Sequence, residues 1–335
     1  MRLYRLPKAE GIDDLTLTEA PPPVPQRGQV KLRMRAWSLN YRDLMVATGR
    51  YGIGGTTPNL IPLSDGAGEV VEVGPGVRRA RIGDRVCPTF MQGWSGGEVI
   101  AEARRRALGG GIDGVLAEEV LVDEEDLVHI PPHLSWEEAA TLPCAGVTAW
   151  NALFGARRLQ PGETVLVLGT GGVSIFALQF AHMAGARVIA TSSSAAKLAR
   201  ARALGAAEGI DYRAQPDWQD AVRDLTGGRG ADFVVEVGGA GTLPRSISAA
   251  RIGGEVALIG VLTGGQIDPA PIMRRNITLR GIFVGSREMF EAMNRAIAQH
   301  QMRPVIDRVF PFAAARDAYR HLEGASHVGK VVIRA

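Results

Sequence analysis

The sequence predicts an α/β protein in which a doubly wound parallel sheet accompanies a β-rich domain, and three observations predict it. Apolar, β-branched runs alternate with helical patterns from Thr164 to Gly285, as the strands and helices of a parallel sheet do. A Gly-rich turn, Gly169-Thr170-Gly171-Gly172, stands between the first of those runs and the first of those helices. Ahead of it the texture differs: short strand-like runs are broken repeatedly by Gly and Pro, the signature of an irregular β-rich domain.

In chain order, strands are predicted at Gln29–Ala36, Gly68–Val73, Arg85–Pro88, Ala117–Val122 and Leu127–His129, with Gly74-Pro75-Gly76, Gly83-Asp84 and Pro131-Pro132 as breaks. Ser135-Trp136-Glu137-Glu138 reads as a helix N-cap with carboxylates in the first turn. It leads into Ala139-Ala140 and a second helix near Thr148–Phe154. Val165–Leu168 is apolar as a buried parallel strand should be, and Ile175, Leu178, Gln179, Ala181, His182 and Ala184 follow at helical spacing up to Gly185. Strands at Arg187–Ala190, Asp232–Val237, Glu255–Ile259 and Thr278–Val284 then alternate with helices at Ala195–Leu204, Asp217–Leu225 and Gly241–Ala250. The tail reads as a helix at Arg287–His300, a strand at Arg308–Pro311, a helix at Ala313–Glu323 and a strand at Gly329–Ile333. The expected organisation is a catalytic domain over 1–137, a nucleotide-binding domain over 138–285, and a return of 286–335 to the first domain.

A chain of 335 residues is long enough for two domains of ordinary size. It contains no apolar run long enough to span a bilayer, and its N-terminal segment carries charges and Pro21-Pro22-Pro23 where a secretory signal would carry an apolar core. The expected location is the cytoplasm, with no membrane partner. Two cysteines, Cys87 and Cys144, are too few for a disulfide framework or a Cys₄ zinc site. The 38 basic residues exceed the 35 acidic ones by three and are spread along the chain, so no nucleic-acid footprint is expected. Arg104-Arg105-Arg106 reads as a solvated loop or short helix. Lysine is scarce, confined to Lys8, Lys31, Lys197 and Lys330.

An apolar strand entering a Gly-rich turn and an amphipathic helix opens a dinucleotide-binding βαβ unit, whose helix N-terminus holds a pyrophosphate on backbone N–H groups. A site that prefers NAD places a carboxylate on the ribose hydroxyls about 20 residues after the turn. Between Glu163 and Glu208 this chain has no Asp or Glu; after Ala190 it offers Thr191, Ser192, Ser193 and Ser194, then Lys197. Hydroxyls and an ammonium suit a 2′-phosphate, so the expected cofactor is NADP(H). As ordinary structure, Lys197 would be a solvated helix charge. Ser174 stands where the third glycine of the turn is expected.

Landmarks spread over the whole chain carry a resemblance: Asp65-Gly66-Ala67-Gly68-Glu69-Val70-Val71, Gly74-Pro75-Gly76-Val77, Gly83-Asp84-Arg85-Val86, Ala139-Ala140-Thr141-Leu142-Pro143, Thr148-Ala149-Trp150 and Gly329-Lys330-Val331-Val332. In this order they resemble the medium-chain dehydrogenase/reductase superfamily, in particular its quinone-oxidoreductase and zinc-free alcohol-dehydrogenase-like branches. The resemblance implies a GroES-like catalytic domain, a Rossmann domain, hydride transfer with NAD(P)H, and a homodimer paired through Asn276–Gly285. In zinc-bearing members a cysteine stands where this chain has Asn40, and a Gly-His-Glu triplet where it has Leu63-Ser64-Asp65; the third ligand position is kept as Cys144. One thiolate with an amide and a hydroxyl is a poor site for Zn²⁺, although Asp65 could contribute. Met91 to Gly114, where relatives carry a four-cysteine structural zinc, contains no cysteine. No metal is expected, and Cys144 reads as a small buried hydrophobe.

Without a metal there is no Lewis acid to polarise a ketone or stabilise an alkoxide. A substrate activated by its own conjugation needs less help, since hydride adds to an enone or quinone while hydrogen-bond donors hold the developing oxyanion. The resemblance implies that Tyr51 lies near the reacting carbons as proton donor or oxyanion partner, and that Asn40 is the orienting amide at the nicotinamide end. As ordinary structure they would be a packed loop aromatic and a turn-stabilising side chain. Tyr41 and Arg42 are possible substitutes, and Tyr41 and Phe90 are candidates for the substrate pocket. For the cofactor it implies Thr148 behind the nicotinamide, Gly169, Gly171, Gly172 and Val173 on the pyrophosphate, and Ser192, Ser193, Lys197 and Tyr212 around the 2′-phosphate. Gly238, Gly260, Val261, Val284 and Gly285 fall at predicted strand ends, where such folds bind ligands. The expected function is zinc-independent, NADPH-dependent reduction of a small quinone, enone or related activated carbonyl. The alternatives are an alcohol or aldehyde dehydrogenase, with metal, and an NADPH-binding protein with negligible turnover.

Overall fold

The computed structural model describes residues 1–51 and 57–335. They form two units, Met1–Val147 with Val284–Ala335, and Thr148–Phe283. The elements of the first begin with β1 (Arg2–Arg5), β2 (Thr16–Glu19), β3 (Gln29–Ser38), α1 (Tyr41–Ala47), β4 (Asp65–Val73), β5 (Arg85–Pro88), α2 (Ala101–Arg105), β6 (Glu119–Asp123), β7 (Leu127–His129) and α3 (Trp136–Ala140). A π-turn at Leu142–Gly146 leads into α4 (Val147–Phe154), β8 (Thr164–Leu168), α5 (Gly172–Met183), β9 (Arg187–Ser192), α6 (Ala195–Ala203) and β10 (Glu208–Asp211). Next come α7 (Trp218–Leu225), β11 (Ala231–Glu236), α8 (Leu243–Ala249), β12 (Ala250–Leu258), α9 (Ala270–Arg274) and β13 (Thr278–Gly281). The chain ends with α10 (Arg287–His300), β14 (Ile306–Pro311), α11 (Ala315–Glu323) and β15 (Lys330–Arg334).

The first unit is built on β3, which pairs antiparallel with β4 on one edge and shares the other between β6 along its first half and β15 at its end. Along it Val30, Leu32 and Met34 turn inward while Arg33 points to solvent, the alternation of a sheet with one covered face. Leu32, Trp37, Val70, Phe312, Tyr319 and Ile333 meet in its core, so the C-terminal return completes the core of the first unit. Trp37 is fully buried and donates its indole N–H to the Val115 carbonyl, as a buried indole must. The unit continues past the boundary expected at 137 because α3 packs on β3, β4 and β15, and the π-turn packs on β4.

In the second unit β8 is buried at all five positions, which fits a central parallel strand covered on both faces. The sheet order is β10-β9-β8-β11-β12-β13 and every pairing is parallel. Strand order reverses between β8 and β11, the switch point at which open α/β sheets bind ligands beyond the strand C-termini. This is the Rossmann arrangement that the alternation predicts, beside a GroES-like β-rich unit. The strand foreseen at Thr278–Val284 stops at Gly281, and Val284 takes a left-handed φ of 56°. Among the described residues no helix is long and apolar enough to cross a membrane.

Candidate active site

Gly169 ends β8 with a φ of 70°, a conformation that favours glycine, and its N–H donates to Thr191 Oγ1 at 3.3 Å. A Cβ added at Gly169 or Gly171 would meet nothing within 4 Å, so the turn presents bare backbone to open space ahead of α5. The first turn of α5 holds no acidic residue, leaving the positive end of its dipole uncompensated. Gly172 and Val173 are its first two residues. Ser174 is buried and donates to the Leu168 carbonyl at 2.6 Å. Its hydroxyl is thus turned back onto the strand, which explains how serine substitutes for a third glycine. The cradle fits a pyrophosphate.

Ser192 closes β9, and its carbonyl accepts from Tyr212 N–H at 3.1 Å, which brings the ends of β9 and β10 together. Ser194 caps α6 by accepting from Lys197 N–H at 3.4 Å. Ser192, Ser193, Lys197 and Tyr212 therefore converge on one end of the sheet, and Tyr212 is 41% exposed there. Asp211 lies beside Ser192 in register, yet its carboxylate accepts from Arg213 and Ala214 N–H at 2.9 and 3.4 Å. The first turn of α6 holds no acidic residue either.

Glu236, at the end of β11, is a site residue that its surroundings in sequence do not reveal. Its buried carboxylate accepts from Gly238 N–H (2.6 Å), Gly239 N–H (3.0 Å), Thr242 Oγ1 (2.6 Å) and Ser246 Oγ. The same loop is zipped to the one after β12: Thr263 N–H donates to the Gly238 carbonyl and Ala240 N–H to the Thr263 carbonyl, both at 3.1 Å. At Gly260 a Cβ would sit 1.8 Å from the Val237 oxygen, so only glycine permits this approach. Gly238, Gly260 and the exposed Val261 thus share one loop pair at the switch point. Thr148 is buried in the first turn of α4. Val284 and Gly285 belong to the first unit, where Val284 is buried in its left-handed conformation. A β-branched residue there costs about 1–3 kcal/mol.

In the first unit Asn40 caps α1, its backbone N–H donating to Asp43 Oδ2 at 2.7 Å. Its Oδ1 accepts from the buried Lys330 ammonium, which also donates to the Leu39 carbonyl at 2.6 Å. Burial lowers the Lys330 pKa against the raising effect of Asp65, Cys144 and Asp43. Asp65 is fully buried and accepts from Ser64 Oγ at 2.7 Å and Cys144 N–H at 3.0 Å. Burial pushes its pKa up, while Lys330, Ser64, Asn40 and the Cys144 amide hold it down. Asn40 Nδ2 helps in that, but it is buried without a well-formed hydrogen bond of its own. Lys330 and Asp43 had no role in the sequence reading, and Asp65 entered it only as a possible metal ligand.

Arg42 is 9% exposed and donates from Nη1 to the Leu108 carbonyl at 2.8 Å and to Asp43 Oδ1 at 3.2 Å. Its guanidinium lies 4.3 Å from the Tyr51 ring centroid and 5.1 Å from that of Phe90. Burial raises the Tyr51 pKa, partly offset by Arg42, so the phenol keeps its proton at neutral pH and can donate it. Phe90 is 2% exposed and acts here as a floor beneath Arg42, whereas Tyr41 is 46% exposed at the start of α1. Residues 52–56, which follow Tyr51 in the sequence, lie outside the described residues.

A parallel sheet with a bare glycine turn at its switch point, joined to a β-rich unit in which Arg42 lies over the Tyr51 ring, defines a nucleotide-dependent oxidoreductase of two-domain design. The chain belongs to the medium-chain dehydrogenase/reductase superfamily and is an alcohol-dehydrogenase-like oxidoreductase. Family models described as alcohol dehydrogenase GroES-like domain and zinc-binding dehydrogenase match residues 26–132 and 172–299. A zinc-type alcohol dehydrogenase-like protein of Schizosaccharomyces pombe is 44% identical over 93% of each chain. The crystal structure of a protein of Sinorhizobium meliloti 1021 described as an alcohol dehydrogenase has a TM-score of 0.93 at 40% identity, covering 100% of this chain and 98% of that one. That of an NAD-dependent alcohol dehydrogenase has a TM-score of 0.91 at 34% identity, covering both chains fully.

The zinc named in two of those descriptions is not matched by the donors here. Asn40 Oδ1 is engaged by Lys330 and the Ser64 hydroxyl donates to Asp65, which leaves Cys144 as the one thiol of the set. An amide, a hydroxyl and a single thiol do not make a tetrahedral zinc site.

Proposed function

We propose that the protein is a zinc-independent, NADPH-dependent reductase of quinones, enones or related activated carbonyls. The observation that carries this reading is the set Asn40, Ser64 and Cys144, in which Asn40 Oδ1 accepts from Lys330 and the Ser64 hydroxyl donates to Asp65, leaving a single thiol. When bound, the dinucleotide supplies the hydride. Gly169, Gly171, Gly172 and Val173 would receive its pyrophosphate, and Ser192, Ser193, Lys197 and Tyr212 its 2′-phosphate, with Thr148, Gly238, Gly260, Val261, Val284 and Gly285 toward the nicotinamide. Tyr51, a phenol that carries its proton at neutral pH and lies under Arg42, donates to the enolate or phenolate oxygen. Asn40 orients the carbonyl through Nδ2, which is left without a protein acceptor of good geometry. A homodimer paired through the edge strand β13 accompanies this reading, and light scattering at monomer mass would remove it.

A second reading, an NAD-dependent alcohol dehydrogenase with metal, is favoured by the names of the relatives at 44% and 34% identity. One experiment separates the two. Freshly purified protein is analysed for zinc, titrated with NADPH and NADH, and followed for NADPH oxidation with a quinone and an enone. Metal-free protein that prefers and oxidises NADPH supports the reductase; near-stoichiometric zinc with alcohol oxidation on NAD supports the dehydrogenase.

A further inference from the structure

Four arginines converge at the N-terminal ends of strands β11, β12 and β13, the end of the sheet opposite the glycine turn. Arg223 comes from the last turn of α7, Arg229 from the loop into β11, Arg251 from the start of β12 and Arg275 from the loop into β13. With Gly228 and Ile252 they line a cleft of about 320 Å³ with no acidic residue in its wall. The carboxylate in contact with them is Asp232, fully buried beneath. Its Oδ1 accepts from Arg251 Nε at 2.6 Å and Arg229 Nη2 at 2.9 Å, and its Oδ2 from Thr164 N–H at 2.9 Å. Two of the four guanidiniums are thus paired with one carboxylate, both of whose oxygens are already used, and Arg223 and Arg275 have no salt bridge to it.

The other anchors are neutral. Arg251 Nη1 donates to the Ile252 carbonyl at 2.7 Å and Arg275 Nη2 to the Ala250 carbonyl at 2.6 Å, which fixes the two forks without balancing their charge. The Nε atoms of Arg223 and Arg275 are buried with no hydrogen-bond partner. Arg275 also feels the charge of Arg223, which adds to burial in lowering its pKa. Like charges held together with unused donors are costly unless an anion completes them.

We infer that this cleft binds a phosphate group, free or as a small monoester, at a site separate from that of the cofactor. A carboxylate would satisfy one planar fork, whereas a tetrahedral dianion meets donors arriving from four directions and matches the surplus charge. The Gly228 turn and the open mouth leave room for an organic group beyond the phosphate.

The test is calorimetric titration of inorganic phosphate, and separately of glycerol phosphate, into protein saturated with NADPH so that the cofactor's own phosphate positions are filled. Wild type and Lys197→Ala are expected to bind alike, Arg223→Met and Arg229→Met about tenfold or more weakly, and Arg223→Glu not measurably. Unchanged circular dichroism certifies that the variants fold. Tighter binding of the monoester than of inorganic phosphate identifies a metabolite as the natural occupant, and the reverse identifies the free ion. Wild-type protein that binds neither, or binding that follows Lys197 and ignores Arg223, overturns the inference.

Discussion

The guanidinium of Arg42 lies over the ring of Tyr51 at 4.3 Å while its Nη1 is tied to Asp43 Oδ1 at 3.2 Å, so one buried cation both covers the face of the phenol and balances a buried carboxylate. Removing it exposes both debts. Arg42→Met is expected to lower unfolding stability by about 3 kcal/mol, the usual consequence of leaving one partner of a buried pair alone. Urea denaturation measures this, and a loss below about 1 kcal/mol would mean that Asp43 does not depend on Arg42.

Tyr51→Phe keeps the ring under Arg42 and removes only the hydroxyl. If the phenol delivers the proton, kcat with an enone should fall by about a hundredfold, with NADPH affinity and thermal midpoint unchanged. An unaltered kcat would return Tyr51 to the role of a packed loop aromatic.

Asp43 carries a pH signature. Burial raises its pKa from 3.8 to about 6, against the lowering effect of Arg42 and the Asn40 amide. The native state then holds the proton more tightly than the unfolded chain, so this group's contribution to stability is largest below about pH 4, falls through about pH 6 and is level above. The change amounts to about 3 kcal/mol. Asp43→Asn should therefore gain stability relative to wild type as pH rises through that window. A stability difference independent of pH would contradict the assignment.

Lys197 is expected to discriminate between cofactors. Lys197→Ala should weaken NADPH by roughly tenfold, the scale of a charge-assisted contact, and leave NADH nearly untouched. Equal losses for both, in fluorescence titration, would make Lys197 a helix-surface charge.

What the sequence disclosed and what it concealed follow physical lines. Thr164–Leu168 was legible because a strand covered on both faces must be apolar throughout, and α10 because Ser286 caps it and Gln301 ends it in a left-handed turn. The helix α1 escaped notice: its start is marked only by Asn40 and Asp43, polar residues that read equally well as a turn. β1 and β2 form a small two-stranded sheet of four-residue strands, so no long apolar run announces them. The glycine turn and its serines were readable as local chemistry. Lys330 and Asn40, by contrast, meet across 290 residues, and no periodicity records a contact made by the closing of β15 onto β3. The arginines of the second cleft are equally scattered, and each alone reads as an ordinary surface charge.

Glu236 offers the strictest test of how the switch point is held open for the cofactor. Its carboxylate receives two backbone N–H groups and two hydroxyls, all from the stretch 238–246, so the loop bearing Gly238 is wrapped around one buried anion. Glu236→Gln keeps the volume but replaces one acceptor oxygen with an NH₂ group, which sets donors against donors on one side of the ring. Each buried donor left unmatched costs about 1–3 kcal/mol, so the variant should lose about 3 kcal/mol and the loop should loosen first. Because Thr263 fastens that loop to Gly260 and Val261, the loosening should raise the dinucleotide KM several-fold more than it lowers kcat. Hydrogen exchange would then be faster at 237–243 than along β11. A variant with wild-type exchange in that loop and a wild-type KM would show that the loop stands on its glycines and Thr263 alone.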